Sequence, residues 1–162
     1  MSLRSLWQRF RTAKLRSHSN RELRGAVKGK DNFVFGHIDV VSPEKFTMGD
    51  GCSFNHGCYV HAGNGVAFGN DVTVSANACV ISTGIDYKAW AAGRKRHVSE
   101  GKVTIGDHVW IGANATVLPG ASITGPYVIV AANAVVKGTF TQDHCILAGD
   151  PAKVVKTFEG NE

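Results

Sequence analysis

IGDHVWIGANATVLPGASITG, residues 105–125, sets an aliphatic at Ile105, Ile111, Val117 and Ile123, one at every sixth position. Glycine directly follows the first two. A helix returns to the same face after about 3.6 residues and a strand after about two, so neither explains this beat. Six residues can instead build one short strand and one sharp corner, and three such units close a triangular coil of about 18 residues. One large aliphatic per unit then points inward and stacks on its counterpart in the next coil. Small neighbours let the backbone turn.

The same register extends in both directions. Upstream it runs through Met48, Phe54, Val60 and Val66, slips by two residues, and resumes at Phe68, Val74 and Val80. Downstream it slips once at Gly125-Pro126 and continues at Val130 and Val136. Small residues accompany it at Gly49, Gly69, Ala78, Gly106, Gly112, Ala115, Ala121, Ala131 and Ala134. Asn70, Asn77, Asp107, Asn114, Gly120 and Asn133 suit corners that need a positive φ. A β-sandwich would alternate with period two between its turns, which this chain does not do. Cys52 and Cys58 are six apart on the same beat and form no CxxC pair. They read as small repeat positions rather than as a disulfide.

At 162 residues the chain suits one domain with a real core, and 19 glycines against four prolines mark it as turn-rich rather than disordered. Residues 1–30 carry nine Lys or Arg against Glu22 alone, whereas the remainder is net acidic. The overall +5 therefore belongs to a basic tail, and the body argues against nucleic-acid binding. No apolar run approaches the roughly 18 residues of a membrane span. The start lacks the apolar core of a secretory signal, so a cytoplasmic protein is expected. Leu3, Leu6, Trp7 and Phe10 follow helical spacing, with Arg4, Arg9, Arg11, Lys14 and Arg16 largely elsewhere on the wheel. A short amphipathic helix follows, with three fates open to it: capping its own domain, pairing with another subunit, or peripheral membrane contact at the inner face through residues 1–16. The expected organisation is a basic helix and connector over 1–30, a repeat prism over 31–156 interrupted at 82–102, and a tail over 157–162.

WIGANATVLPG, followed later by AGDPAKVVK, resembles the hexapeptide-repeat acyltransferases over about residues 32–156. Within that family the chain most resembles the sugar O-acetyltransferases of surface-polysaccharide pathways. The resemblance implies an all-β, left-handed parallel β-helix, an exception to the usual right-handed crossover that periodicity alone does not reveal. It also implies acetyl-CoA as acyl donor without a metal, a carbohydrate acceptor, and a homotrimer with active sites between neighbouring prisms.

The long break, STGIDYKAWAAGRKRHVSEGK at 82–102, is the natural place for chemistry. Acetyl transfer to an alcohol needs a base, and histidine suits neutral pH. In the galactoside and maltose acetyltransferases the base closely follows a Thr-Gly or similar pair; here Thr83-Gly84 leads instead to Ile85-Asp86. His97 in the same segment is the leading substitute, flanked by cations that favour its neutral form. His61 and His56 are the alternatives, and His37, His108 and His144 read as structural or exposed. Asp86 would orient the base or bind a sugar hydroxyl, with Tyr87 and Trp90 offering an apolar face to the ring. For the donor, the resemblance implies backbone contacts to the pantetheine arm at Trp110, Gly112 and Ala113, a second small pair at Ala131 and Ala132, and phosphate contacts from Lys153, helped by Lys137 and Lys156. An N-acetyltransferase acting on an amino sugar or amino acid is a near neighbour of this reading. A γ-type carbonic anhydrase uses the same prism; His56 and His61 are five apart, and His37 lies 19 before His56, about one coil.

Overall fold

The computed structural model describes residues 3–94, 98–99 and 101–160. Val27, Thr47 and Ala67 lie side by side on parallel strands, as do Phe33, Ser53 and Thr73, and Asp39, Tyr59 and Cys79. The chain thus winds through three faces in turn as a left-handed parallel β-helix. Among the described residues the first face is a sheet of six strands, the second of seven and the third of five. The beat of six is this winding.

The lower coils are longer than the expected 18 residues: each register pair just named is separated by 20 positions. Above the insertion the spacing contracts to 17–19, as in Trp110 with Ile129 and Ser122 with Thr139. The slip between Val66 and Phe68 is therefore no change of phase. Both side chains are buried on strand Val66–Phe68, and the extra residues widen the preceding corner at 62–65. The wider coils are filled by Phe46, Phe54 and Phe68, whose ring centroids lie 5.1–6.1 Å apart. The narrower ones hold Ile105, Ile111, Val117, Ile123, Val130 and Val136, each almost fully buried. Cys52 and Cys58 are free, buried thiols of this core.

Asn77, Asn114, Gly120 and Asn133 adopt positive φ as expected, but at the other two corners the left-handed residues are Asp71 and His108 rather than Asn70 and Asp107. The expected residues do different work: the Asn70 and Asp107 side-chain oxygens accept from the backbone N–H of Asp50 and Asn70, 2.9 and 2.6 Å away in the coil below. A carboxamide or carboxylate so placed ties one coil to the next.

The amino-terminal helix α1, Leu3–Glu22, is longer than expected and takes in the first part of residues 17–30, the expected connector. Val27–Lys28 already forms a strand of the first face. The cause lies in the first coil, whose lower edge has no coil beneath it to pair with. Ser19 Oγ accepts from Val34 N at 2.9 Å, Glu22 Oε2 accepts from Ile38 N at 3.1 Å, and His18 Nε2 lies 2.7 Å from Gly36 O. Leu23 plugs the bottom of the core. At the other end Ala152–Thr157 turns back antiparallel on Cys145–Gly149. Both edges of the second face are thereby covered.

Candidate active site

The inserted segment leaves the third face after Ile81 and returns to the first at Val103. It is more ordered than a loop. Gly84–Ile85 pairs antiparallel with Val98–Ser99, and a short helix, α2 (Tyr87–Ala91), stands between them. Asp86 starts this helix, its Oδ1 accepting from Lys88 N and Ala89 N at 3.0 Å each. Ala89 is buried, whereas Tyr87 and Trp90 are 70% and 67% exposed. His97 lies outside the described residues, as do Lys95 and Arg96.

His61 ends the third-face strand Tyr59–His61, at the root of this insertion. Its Nδ1 is 2.9 Å from Thr83 Oγ1, with Gly63 N–H a longer 3.4 Å away. Buried Ser82 fixes the junction: its hydroxyl donates to His61 O at 2.9 Å and accepts from Asn64 N at 3.0 Å. A ring that donates its Nδ1 proton to Thr83 leaves the Nε2 lone pair free for a proton, as a general base requires, whereas the longer Gly63 N–H contact to Nδ1 favours the opposite tautomer. The widened corner beside it forms an open cleft of about 520 Å³, lined by Lys45, Gly63, Asn64, Gly65, Gly101 and Lys102. Gly63 lines this cleft, and a Cβ there would stand 2.6 Å from Thr83 Cγ2 and 3.0 Å from His61 Cε1.

His56 lies elsewhere, exposed at the corner between the second and third faces. The backbone bonds Asn77 N to His56 O, Asn114 N to Ala76 O and Asn133 N to Ala113 O stack His56, Ala76 and Ala113 on one edge. At one strand spacing per coil, His56 is about 10 Å below Ala113. His37 is engaged in docking α1, with Nδ1 2.9 Å from Glu22 and Nε2 3.4 Å from Asp39. Among the described residues no three His, Cys, Asp or Glu side chains group as metal ligands.

Several residues proposed for the donor share the second face. Trp110 is half exposed, and its indole N–H donates to Ser75 Oγ at 2.8 Å. Beside it the backbone bonds Gly112 N to Val130 O and Ala131 N to Leu147 O align Gly112, Ala131 and Ala148 in a file of minimal side chains. Lys153 stands opposite Ala148 on the returning strand, and Lys156 opposite Ile146. The small residues thus run in file beside the Trp110 indole, with Lys153 and Lys156 on the neighbouring strand. Ala113 and Ala132 belong to the adjoining edge, and Lys137 follows the third-face strand Val135–Val136. Sequence reading missed Ser75 and Thr83 as partners, because their contacts join residues 35 and 22 positions apart.

Three comparisons bear on what this arrangement does. The family model for bacterial transferase hexapeptide (six repeats) matches residues 102–138. A Saccharomyces cerevisiae protein named as an acetyltransferase is 30% identical over 141 residues, covering 84% of this chain and 67% of its own length. An Escherichia coli K12 protein named as a lipopolysaccharide biosynthesis O-acetyl transferase is 44% identical over 63 residues, 39% of this chain but only 31% of its own length. Among solved structures, a hexapeptide-repeat acetyltransferase from Vibrio cholerae in complex with acetyl-CoA superposes with a TM-score of 0.74 at 24% identity, over 87% of this chain and 75% of that one.

Proposed function

The chain belongs to the hexapeptide-repeat acetyltransferases, and on that premise we propose that it transfers acetyl from acetyl-CoA to a hydroxyl of a sugar or surface-glycan precursor. The observation that carries the mechanism is His61, held by Thr83 at the root of the insertion beside an open cleft. The acceptor hydroxyl gives its proton to His61 Nε2 as its oxygen bonds to the thioester carbonyl carbon. The carbon–sulfur bond then breaks, and the coenzyme A thiolate leaves, taking the proton from the imidazolium. A backbone N–H at a coil corner serves the transient oxyanion. No covalent acyl-enzyme is needed, which agrees with burial of three of the four cysteines.

The second-face file of small residues is the channel that receives the pantetheine arm at Trp110, Gly112 and Ala131, with Lys153 and Lys156 toward the phosphates. Tyr87 and Trp90 offer exposed aromatic surface to a sugar ring. Base and channel occupy different faces of one prism, so a complete site needs a neighbouring copy. A homotrimer supplies it, with the third face of one subunit set against the second face of the next. The E. coli relative named for lipopolysaccharide biosynthesis favours a surface-glycan acceptor. A cytoplasmic location suits such a precursor, and among the described residues no helix is long and apolar enough to cross a membrane.

The test is release of free coenzyme A from acetyl-CoA across a panel of sugar, amino-sugar and amino-acid acceptors. His61→Ala should lower kcat by about 10²–10⁴-fold, the range general-base catalysis supplies. Full rate in His61→Ala with loss in His97→Ala moves the base into the insertion. Preferential turnover of an amine acceptor replaces O-acetylation with N-acetylation.

A further inference from the structure

We infer that the amino-terminal turns of α1 dock on an anionic lipid surface. Two independent faces lie on this one helix. The face that caps the prism is made by Leu15, His18, Ser19 and Glu22, through the contacts to Val34, Gly36 and Ile38. At about 100° per residue, positions 3, 6, 7 and 10 centre about 120° around the helix from it. Those positions hold Leu3, Leu6, Trp7 and Phe10. Ala13, Lys14, Ser17 and Arg21 continue the same side toward the C-terminal end, and all four are exposed. Over positions 13–21 this side of the helix is thus turned away from the prism, and in the sequence the same side is apolar at positions 3–10.

Charge selects the occupant. Residues 1–16 contain five Lys or Arg and no carboxylate, the sole acid of the helix being Glu22 on the docked face. Arg9 and Arg11 lie to either side of the apolar line, and Lys14 lies within it. An apolar stripe between arginines, with no acid along it, matches lipid headgroups over an acyl boundary. A second copy of the same basic helix would meet it with like charge. Arg16 is taken up by Asp31 at 2.9 Å, so the charges that flank the stripe are Arg9, Arg11 and Lys14, each worth about 1 kcal/mol near an anionic surface.

The test is co-sedimentation of the full chain with phosphatidylcholine vesicles, with and without about 30% phosphatidylserine. Wild type should pellet with the anionic vesicles and release at high salt, where screening is strong. Leu6→Glu/Trp7→Glu and Arg9→Glu/Lys14→Glu should each weaken binding at least about tenfold while leaving the unfolding midpoint unchanged, because the capping face is untouched. Absence of binding to anionic vesicles, or binding equal in wild type and both variants, overturns the inference. A lower sedimentation coefficient in Leu6→Glu/Trp7→Glu with vesicle binding intact would assign the stripe to a second copy and overturn it equally. None of these outcomes depends on acetyl transfer, so the two proposals fail separately.

Discussion

A histidine can take a proton from an alcohol only through its unprotonated nitrogen, and at His61 a ring that donates Nδ1–H to Thr83 Oγ1, 2.9 Å away, leaves Nε2 free for that task. If Thr83 orients the base, Thr83→Val should lower kcat by about tenfold, the value of one hydrogen bond, with little change in KM. Thr83→Ser should restore the rate, which a purely steric role would not require. Equal rates in the Val and Ser variants would remove Thr83 from the mechanism. The buried thiols give a second prediction at this scale. Burial pushes both Cys52 and Cys58 up to about 11, from an ordinary value near 9. A raised thiol pKa means the folded state keeps its proton while the unfolded chain loses it. The stabilisation is therefore whole below about pH 9 and disappears as pH climbs toward 11, on the order of 2 kcal/mol for each thiol. Urea unfolding at pH 8 and 10.5 should show this fall in wild type and a shallower one in Cys52→Ala/Cys58→Ala. The same slope in both proteins would trace alkaline instability to other groups.

The carboxy-terminal half of α1 is better understood as a lid on an open sheet edge than as a free helix. Ser19 is 1% exposed and accepts from Val34, which is fully buried. Removing that hydroxyl strands a buried N–H, which costs about 1–3 kcal/mol. Ser19→Ala should lower the urea midpoint accordingly, whereas Ser17→Ala, at an exposed position of the same helix, should leave it unchanged. Burial acts to raise the Glu22 pKa, but the Ile38 N–H and His37 outweigh it and hold the carboxyl below its ordinary value of 4.5. Its contribution is consequently present above that value and lost as pH falls through the depressed one. Helix docking should weaken on acidification, an effect absent from Glu22→Gln. The sequence marked this element only by its apolar start, Leu3 to Phe10. The docking residues Ser19 and Glu22 are polar and answer to a partner edge 15–16 positions away, so no local periodicity announces them.

At the scale of the molecule, the prism was legible because stacking repeats one demand in every coil: an inward aliphatic and a small neighbour. Ile111 and Val117 could be assigned inward from that rule alone. Coil length was less legible, since the two residues added at 62–65 leave the inward beat intact and alter only a corner. That corner is the one that opens beside His61, so the feature hardest to read is where the chemistry is proposed. The arrangement of faces yields the last prediction. His61 belongs to the third face and the Gly112–Ala131 file to the second. If neighbouring subunits complete each site, a chain lacking the base and a chain with a blocked channel should rescue one another. His61→Ala and Ala131→Trp would each be inactive alone. Co-refolded in equal amounts, they form mixed trimers in which an intact base meets an intact channel at about a quarter of the interfaces. Activity near a quarter of wild type should therefore appear on mixing and be absent when the two purified trimers are combined without refolding. Mixed trimers that stay inactive would mean that each site draws base and channel from a single chain, and the pairing of second and third faces would have to be abandoned.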